Sequence, residues 1–169
     1  GSIRVESRVG EGTVFSIVLP RMHAQPVAEP ERPQEAPRGT ESVLLVDDEE
    51  HLLTVAAGML GALGYRVVAV QSPAEAWSLF LRDPERFDIV VTDQTMPGMT
   101  GAELSQKILA ARPGMPIVLC TGYSATISED TARAMGISGY VWKPLHRDEL
   151  ARAVRSALDS RRTQARPAC

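Results

Sequence analysis

The feature that most constrains the fold is a regular alternation between short apolar runs and amphipathic segments from Ser42 onward. Continuous apolar or β-branched runs lie at residues 43–46, 65–70, 87–92, 116–120 and 139–142. Each is followed by a segment with helical apolar spacing, at residues 50–63, from 72, and at 101–111, 127–135 and 146–160. Strands that are apolar throughout are typical of a parallel sheet covered by helices on both faces. We therefore predict an α/β domain over residues 42–160, a doubly wound five-stranded parallel sheet with five helices.

Two segments of different character precede this domain. Residues 1–20 contain two β-prone runs separated by Gly10-Glu11-Gly12, which predicts a hairpin closed by Pro20. A lone hairpin is only marginally stable in water, so we expect it to belong to a larger sheet. Residues 21–41 are rich in proline and poor in large apolar side chains, which predicts a stiffened linker. Residues 161–169 are predicted to be a short basic tail.

Composition narrows the setting in which the chain works. A net charge of −3 gives no electrostatic basis for binding nucleic acid. No apolar run approaches the roughly 18–20 residues that span a bilayer, and no signal peptide opens the chain. The two cysteines, Cys120 and Cys169, show no disulfide framework. We expect a cytoplasmic segment without membrane contact, whether or not a longer parent chain is anchored in a membrane.

Polar side chains follow four of the five predicted strands. Asp47 and Asp48 follow the first, Asp93 the third, Thr121 the fourth and Lys143 the fifth. Each alone has a plainer explanation as a helix-cap residue, a turn residue or a solvated lysine. Together they lie at the edge where an open parallel sheet builds its site. Carboxylates suit Mg²⁺, Lys143 supplies a counter-charge, and an ionised carboxylate beside Mg²⁺ is a nucleophile for a phosphoryl group.

These residues resemble the response-regulator receiver domain of two-component signalling. Residues 43–49 (VLLVDDE) resemble its first strand and acidic pair, and residues 93–101 (DQTMPGMTG) resemble its phosphoacceptor loop. Thr121 and Tyr140 match its switch hydroxyl and switch aromatic, and Lys143-Pro144 matches its lysine–proline pair. The resemblance implies a flavodoxin-like sheet with strand order 2-1-3-4-5.

The resemblance also implies a reaction. Asp93 would take a phosphoryl group from a phosphohistidine, and the domain would catalyse both this transfer and its own dephosphorylation. Mg²⁺ would be held by Asp48, Asp93 and the backbone carbonyl of Thr95, with Asp47 assisting. Lys143 would bind the phosphoryl oxygens, and the Lys143–Pro144 peptide bond is often cis in this family.

A switch follows from the same resemblance. Phosphorylation adds about two negative charges and strong acceptor oxygens. Thr121 would move to donate a hydrogen bond to them, and Tyr140 would fill the vacated space. That movement would remodel the face formed by the fourth helix, the fifth strand and the fifth helix. Gln94 departs from the family in a position that is usually apolar, and Thr95 and Tyr123 occupy positions that tune hydrolysis.

The N-terminal hairpin is similar to the last hairpin of a histidine-kinase ATP-binding domain. The order of hairpin, linker and receiver is that of a hybrid histidine kinase, so the expected partners are a kinase domain in cis or a histidine phosphotransfer protein. The chain itself holds neither a kinase's nucleotide-binding motifs nor a phosphorylatable histidine box. We therefore do not expect it to be a kinase alone.

Two alternatives stay open at this stage. A Mg²⁺-dependent phosphatase with an aspartate nucleophile has a similar topology but needs a second aspartate as proton donor, where this chain has Thr95. A pseudo-receiver would bind its partner without being phosphorylated.

Overall fold

The chain was analysed as a computed structural model that describes residues 1–20, 35–122 and 127–164. The chain divides into two compact units, residues 1–34 and 35–169. The first contains strands β1 (Ser2–Arg8) and β2 (Gly12–Val18), paired antiparallel from Ser2 with Val18 to Arg8 with Gly12. The predicted hairpin is confirmed. Gly10 and Gly12, with φ of 82° and 106°, make the turn in a backbone conformation that glycine adopts without strain.

The second unit holds the predicted parallel sheet. Its strands are β3 (Ser42–Val46), β4 (Arg66–Val70), β5 (Ile89–Asp93), β6 (Ile117–Thr121) and β7 (Gly139–Trp142). They lie in the order β4-β3-β5-β6-β7, and all four pairings are parallel. The predicted order 2-1-3-4-5 is confirmed. The central strands are continuous runs of Val, Ile and Leu, and these residues are buried because helices cover both faces of the sheet.

Five helices follow the strands in alternation. They are α1 (Glu50–Ala62), α2 (Pro73–Arg82), α3 (Gly101–Ala111), α4 (Glu129–Ala134) and α5 (Arg147–Gln164), with a short 3-10 helix at Pro84–Arg86. One core cluster joins α1 and α5 to one face of the sheet, and the other joins α2, α3 and α4 to the opposite face. This arrangement brings all five strand C-termini to one edge.

Local capping explains most helix boundaries. Ser72 accepts a hydrogen bond from the Glu75 N–H ahead of Pro73, as predicted. Ser128 caps α4 in the same way, so that helix begins at Glu129, slightly later than predicted. The last helix, α5, continues through Gln164 into the predicted basic tail.

The C-terminal part of the predicted linker lies on the second unit. Ala36 packs against the core, and the Gly39 N–H donates to the Leu63 carbonyl over 3.1 Å. Residues 21–34 of the linker and 165–169 of the tail lie outside the described residues. In the part of the chain that the structure describes, none of the helices combines the length and apolar character needed to cross a bilayer.

Candidate functional site

Three charged side chains meet at the C-terminal edge of the sheet. Asp47 follows β3, Asp93 ends β5 and Lys143 follows β7. The Lys143 Nζ lies 2.8 Å from Asp47 Oδ2 and 2.8 Å from Asp93 Oδ1. Both carboxylates are buried, with only 5% of Asp47 and 6% of Asp93 exposed. Asp47, Asp93 and Lys143 are far apart in the sequence, and they meet because each ends or follows a strand of the same parallel sheet.

Backbone groups fix the remaining carboxylate oxygens. The Thr95 N–H donates to Asp93 Oδ2 over 2.8 Å, and the Glu49 N–H donates to Asp47 Oδ1 over 2.9 Å. The Lys143 N–H donates to the Thr121 carbonyl over 2.7 Å, and the Lys143–Pro144 peptide bond is cis. The two carboxylates are therefore held at defined positions by backbone N–H groups as well as by Lys143.

Burial and hydrogen bonding shift the pKa values of Asp93 and Lys143 in this cluster. Burial raises the pKa of Asp93, although hydrogen bonds from Lys143 and the Thr95 N–H act in the opposite direction. Burial alone would lower the pKa of Lys143, but its hydrogen bonds to Asp47 and Asp93 outweigh burial and raise it. Two buried carboxylates thus share a single cation, which leaves an excess of negative charge that a second cation would relieve.

The donor set at this edge fits Mg²⁺. That ion is commonly bound by one or two carboxylates and several waters, which Asp47 and Asp93 can satisfy. Within residues 1–20, 35–122 and 127–164, no three acidic, histidine or cysteine side chains are grouped closely enough to hold a metal by themselves. Asp48 is exposed beside the cluster. Its role as a ligand, and that of the Thr95 carbonyl, stay predictions.

The two predicted switch residues lie on neighbouring strands. Thr121 is fully buried, and its hydroxyl donates over a long 3.3 Å to the Gly122 carbonyl. Tyr140 is partly buried, and its hydroxyl donates to the Ile127 carbonyl over 2.9 Å, just before α4. Its ring meets the Trp142 ring edge-on, with 5.4 Å between centroids. Tyr123, the predicted tuning residue, lies outside the described residues.

Two features of the loop after Asp93 were not predicted. Gln94 is buried, and its side-chain Oε1 accepts a hydrogen bond from the Ala102 N–H over 3.1 Å. Gly101 begins α3 so close to β5 that a side chain there would collide with the Asp93 carbonyl. The sequence signal for the Gln94 contact was a polar residue in a position that is usually apolar.

Comparison with known proteins identifies the domain. The profile of the "Response regulator receiver domain" family matches residues 43–155. The crystal structure of a response regulator receiver domain protein from Clostridium thermocellum superposes with a TM-score of 0.70 and 25% identity, over 73% of this chain and 98% of that one.

Sensor kinases are among the relatives that align with nearly the whole chain. Sensor kinase CckA of Brucella abortus is 31% identical over 94% of this chain. Sensor histidine kinase AruS of Pseudomonas aeruginosa is 35% identical over 91% of it. The chain spans 18% and 15% of the lengths of these two relatives.

Proposed function

The chain belongs to the response regulator receiver domains of two-component signalling, and from that membership we propose that Asp93 is its phosphoacceptor. The observation that carries the proposal is the position of Asp93. It is a buried carboxylate at the end of a central strand, bound by Lys143 and by the Thr95 N–H, with Asp47 on the other side of the same lysine. A nucleophile held this way meets the donor in a fixed orientation.

The transfer is a displacement at phosphorus. One Asp93 oxygen attacks the phosphorus of a phosphohistidine, the new O–P bond forms, the N–P bond breaks and the imidazole leaves. The Lys143 ammonium binds a phosphoryl oxygen and stabilises the charge that develops on it. Asp48, Asp93 and the Thr95 carbonyl, assisted by Asp47, would hold Mg²⁺, which would supply further neutralisation of that charge. Water later attacks the same phosphorus, the O–P bond to Asp93 breaks, inorganic phosphate leaves and the Asp93 carboxylate is restored.

The same geometry supports the switch. The hydrogen bond from the Thr121 hydroxyl to the Gly122 carbonyl is long, at 3.3 Å, so little is lost when that hydroxyl turns to a phosphoryl oxygen. For Tyr140 to turn inward, its hydroxyl must release the Ile127 carbonyl. Because Ile127 lies just before α4, this release alters the face formed by α4, β7 and α5.

The N-terminal part of the chain supports a hybrid-kinase origin. Alignments to CckA and AruS cover more than nine-tenths of this chain, so they reach into the hairpin or linker as well as the receiver. Residues 1–20 are then the end of a kinase ATP-binding domain, and residues 21–41 are the linker. The phosphoryl donor is the kinase domain of the same parent chain or a histidine phosphotransfer protein, and the setting is cytoplasmic.

Incubation with Mg²⁺ and acetyl phosphate tests the proposal. We expect intact-protein mass spectrometry to show the gain of one phosphoryl group in the wild type and none in Asp93→Asn. Omitting Mg²⁺ should prevent the gain in the wild type. A wild-type chain that gains no mass would favour a pseudo-receiver, and sustained release of phosphate from many phosphomonoesters would favour a phosphatase.

A further inference from the structure

Gln94, the residue after Asp93, is bonded twice to the first turn of α3. Its backbone carbonyl accepts from the Gly101 N–H over 3.1 Å, and its side-chain Oε1 accepts from the Ala102 N–H over 3.1 Å. Both Gln94 and Ala102 are 7% exposed, so water does not readily replace either bond. Since Ala102 offers an N–H donor, the side-chain atom facing it is the amide oxygen.

These bonds complete the hydrogen bonding of a helix N-terminus. The first N–H groups of a helix lack partners within the helix, and each needs one from elsewhere. Next along α3, the Glu103 N–H is bound by the Thr100 hydroxyl, at the exposed side of the helix. Gln94 supplies the partners on the buried side. A purely apolar side chain at position 94 would leave the buried Ala102 N–H unsatisfied, which is costly.

The loop closed by Gln94 carries a contact of the phosphoacceptor. Residues 94–101 leave β5 at Asp93 and return to it at Gly101, which lies against the Asp93 carbonyl. Inside this loop, the Thr95 N–H donates to Asp93 Oδ2 over 2.8 Å. Without the Gln94–Ala102 hydrogen bond, the start of this loop would be less restrained. Thr95 is the next residue in the loop, so its position would be less defined.

We propose that Gln94 is a positioning residue for phosphoryl transfer. Its side-chain amide holds the loop of residues 94–101 closed on α3, and the closed loop keeps Thr95 against the Asp93 carboxylate. The metal and the phosphoryl donor therefore meet a carboxylate whose orientation is already set. This inference rests on the proposed function of Asp93.

The test compares Gln94→Met with Thr100→Ala. Methionine keeps the length of the side chain but has no amide oxygen, whereas Thr100→Ala removes a cap from the same helix without touching Gln94. For Gln94→Met we expect the dissociation constant for Mg²⁺ alone to rise, and the maximal phosphorylation rate with acetyl phosphate to fall, each by about tenfold. Thr100→Ala should leave both within about twofold of the wild type.

Amide hydrogen exchange separates positioning from simple loss of stability. Gln94→Met should speed exchange at the Ala102 and Thr95 amides, and Thr100→Ala should speed it at Glu103 alone. Wild-type Mg²⁺ affinity and rate in Gln94→Met, or an equal loss in Thr100→Ala, would overturn the proposal. If the wild type takes no phosphoryl group, the proposed function fails, while Mg²⁺ affinity and amide exchange still decide the role of Gln94.

Discussion

Two clusters in the second unit share one plan, a single cation between two carboxylates, and differ in what they do. At the C-terminal edge of the sheet, Lys143 bridges Asp47 and Asp93, with 2.8 Å to each. Near the start of β3, Arg155 of α5 bridges Glu41 and Asp159, with 2.9 Å to each. The Asp93 side chain is 6% exposed and the Asp159 side chain 57% exposed. Both carboxylates are therefore desolvated in the first cluster, and only one in the second.

In each cluster the pKa of one carboxylate is shifted, and the two shifts have opposite directions. Burial raises the pKa of Asp93 against the pull of Lys143. Burial also acts to raise the pKa of Glu41, but hydrogen bonds from Arg155 and from backbone N–H groups outweigh it, and the pKa is lowered. The Asp93 side chain is 6% exposed and the Glu41 side chain 14% exposed, so desolvation weighs more heavily on Asp93. The Arg155 cluster stabilises the fold, and the Lys143 cluster holds charge that favours a second cation.

Replacing each cation by methionine gives the largest contrast. We expect Lys143→Met to slow phosphorylation by acetyl phosphate by about 100-fold, because it removes a group that stabilises the charge of the transferring phosphoryl. Arg155→Met should stay within about twofold of the wild-type rate, because Arg155 is paired with Glu41, which precedes β3, whereas Asp47 follows the opposite end of that strand. Rates come from a mass-spectrometric time course. Equal slowing in both variants would mean that the two clusters act through stability alone.

Mg²⁺ should stabilise the protein through one cluster only. At a Mg²⁺ concentration ten times its dissociation constant, binding adds about 1.4 kcal/mol to the free energy of unfolding. We expect this gain in the wild type and in Glu41→Gln, and its loss in Asp93→Asn, measured by denaturant unfolding with and without Mg²⁺. An undiminished gain in Asp93→Asn would place the ion elsewhere.

The parts of the molecule that the sequence predicts are those with a periodic or positional signal. The strand order and the meeting of Asp47, Asp93 and Lys143 followed from apolar runs that end in polar residues. The hydrogen bond from Arg155 to Glu41 joins positions 114 residues apart. In the sequence, Arg155 is an ordinary charged residue of a predicted helix and Glu41 an ordinary charged residue of the predicted linker. Such pairings depend on how α5 packs beside the segment before β3. A sequence pattern does not encode that packing.

Neutralising one carboxylate in each cluster should change stability with opposite signs. Without Mg²⁺ at neutral pH, Glu41→Gln should lower the free energy of unfolding by about 1 kcal/mol, because Arg155 loses a charged partner. Asp93→Asn should raise it, because a buried carboxylate with a raised pKa costs free energy when ionised. Urea unfolding monitored by far-UV circular dichroism measures both. Two changes of the same sign would contradict the contrast.

The smallest expected effect is a change in the free energy of unfolding at low pH. Because the pKa of Glu41 in the folded protein lies below its usual value near 4.5, its ionisation stabilises the fold above that pH. This contribution is lost as pH falls from 4.5 through the lowered pKa, and it is below about 1 kcal/mol because solvent screens the pair. The difference in unfolding free energy between wild type and Glu41→Gln should therefore shrink between neutral pH and pH values under 4.5. A difference that stays constant or grows on acidification would show that Glu41 contributes through packing and not through its charge.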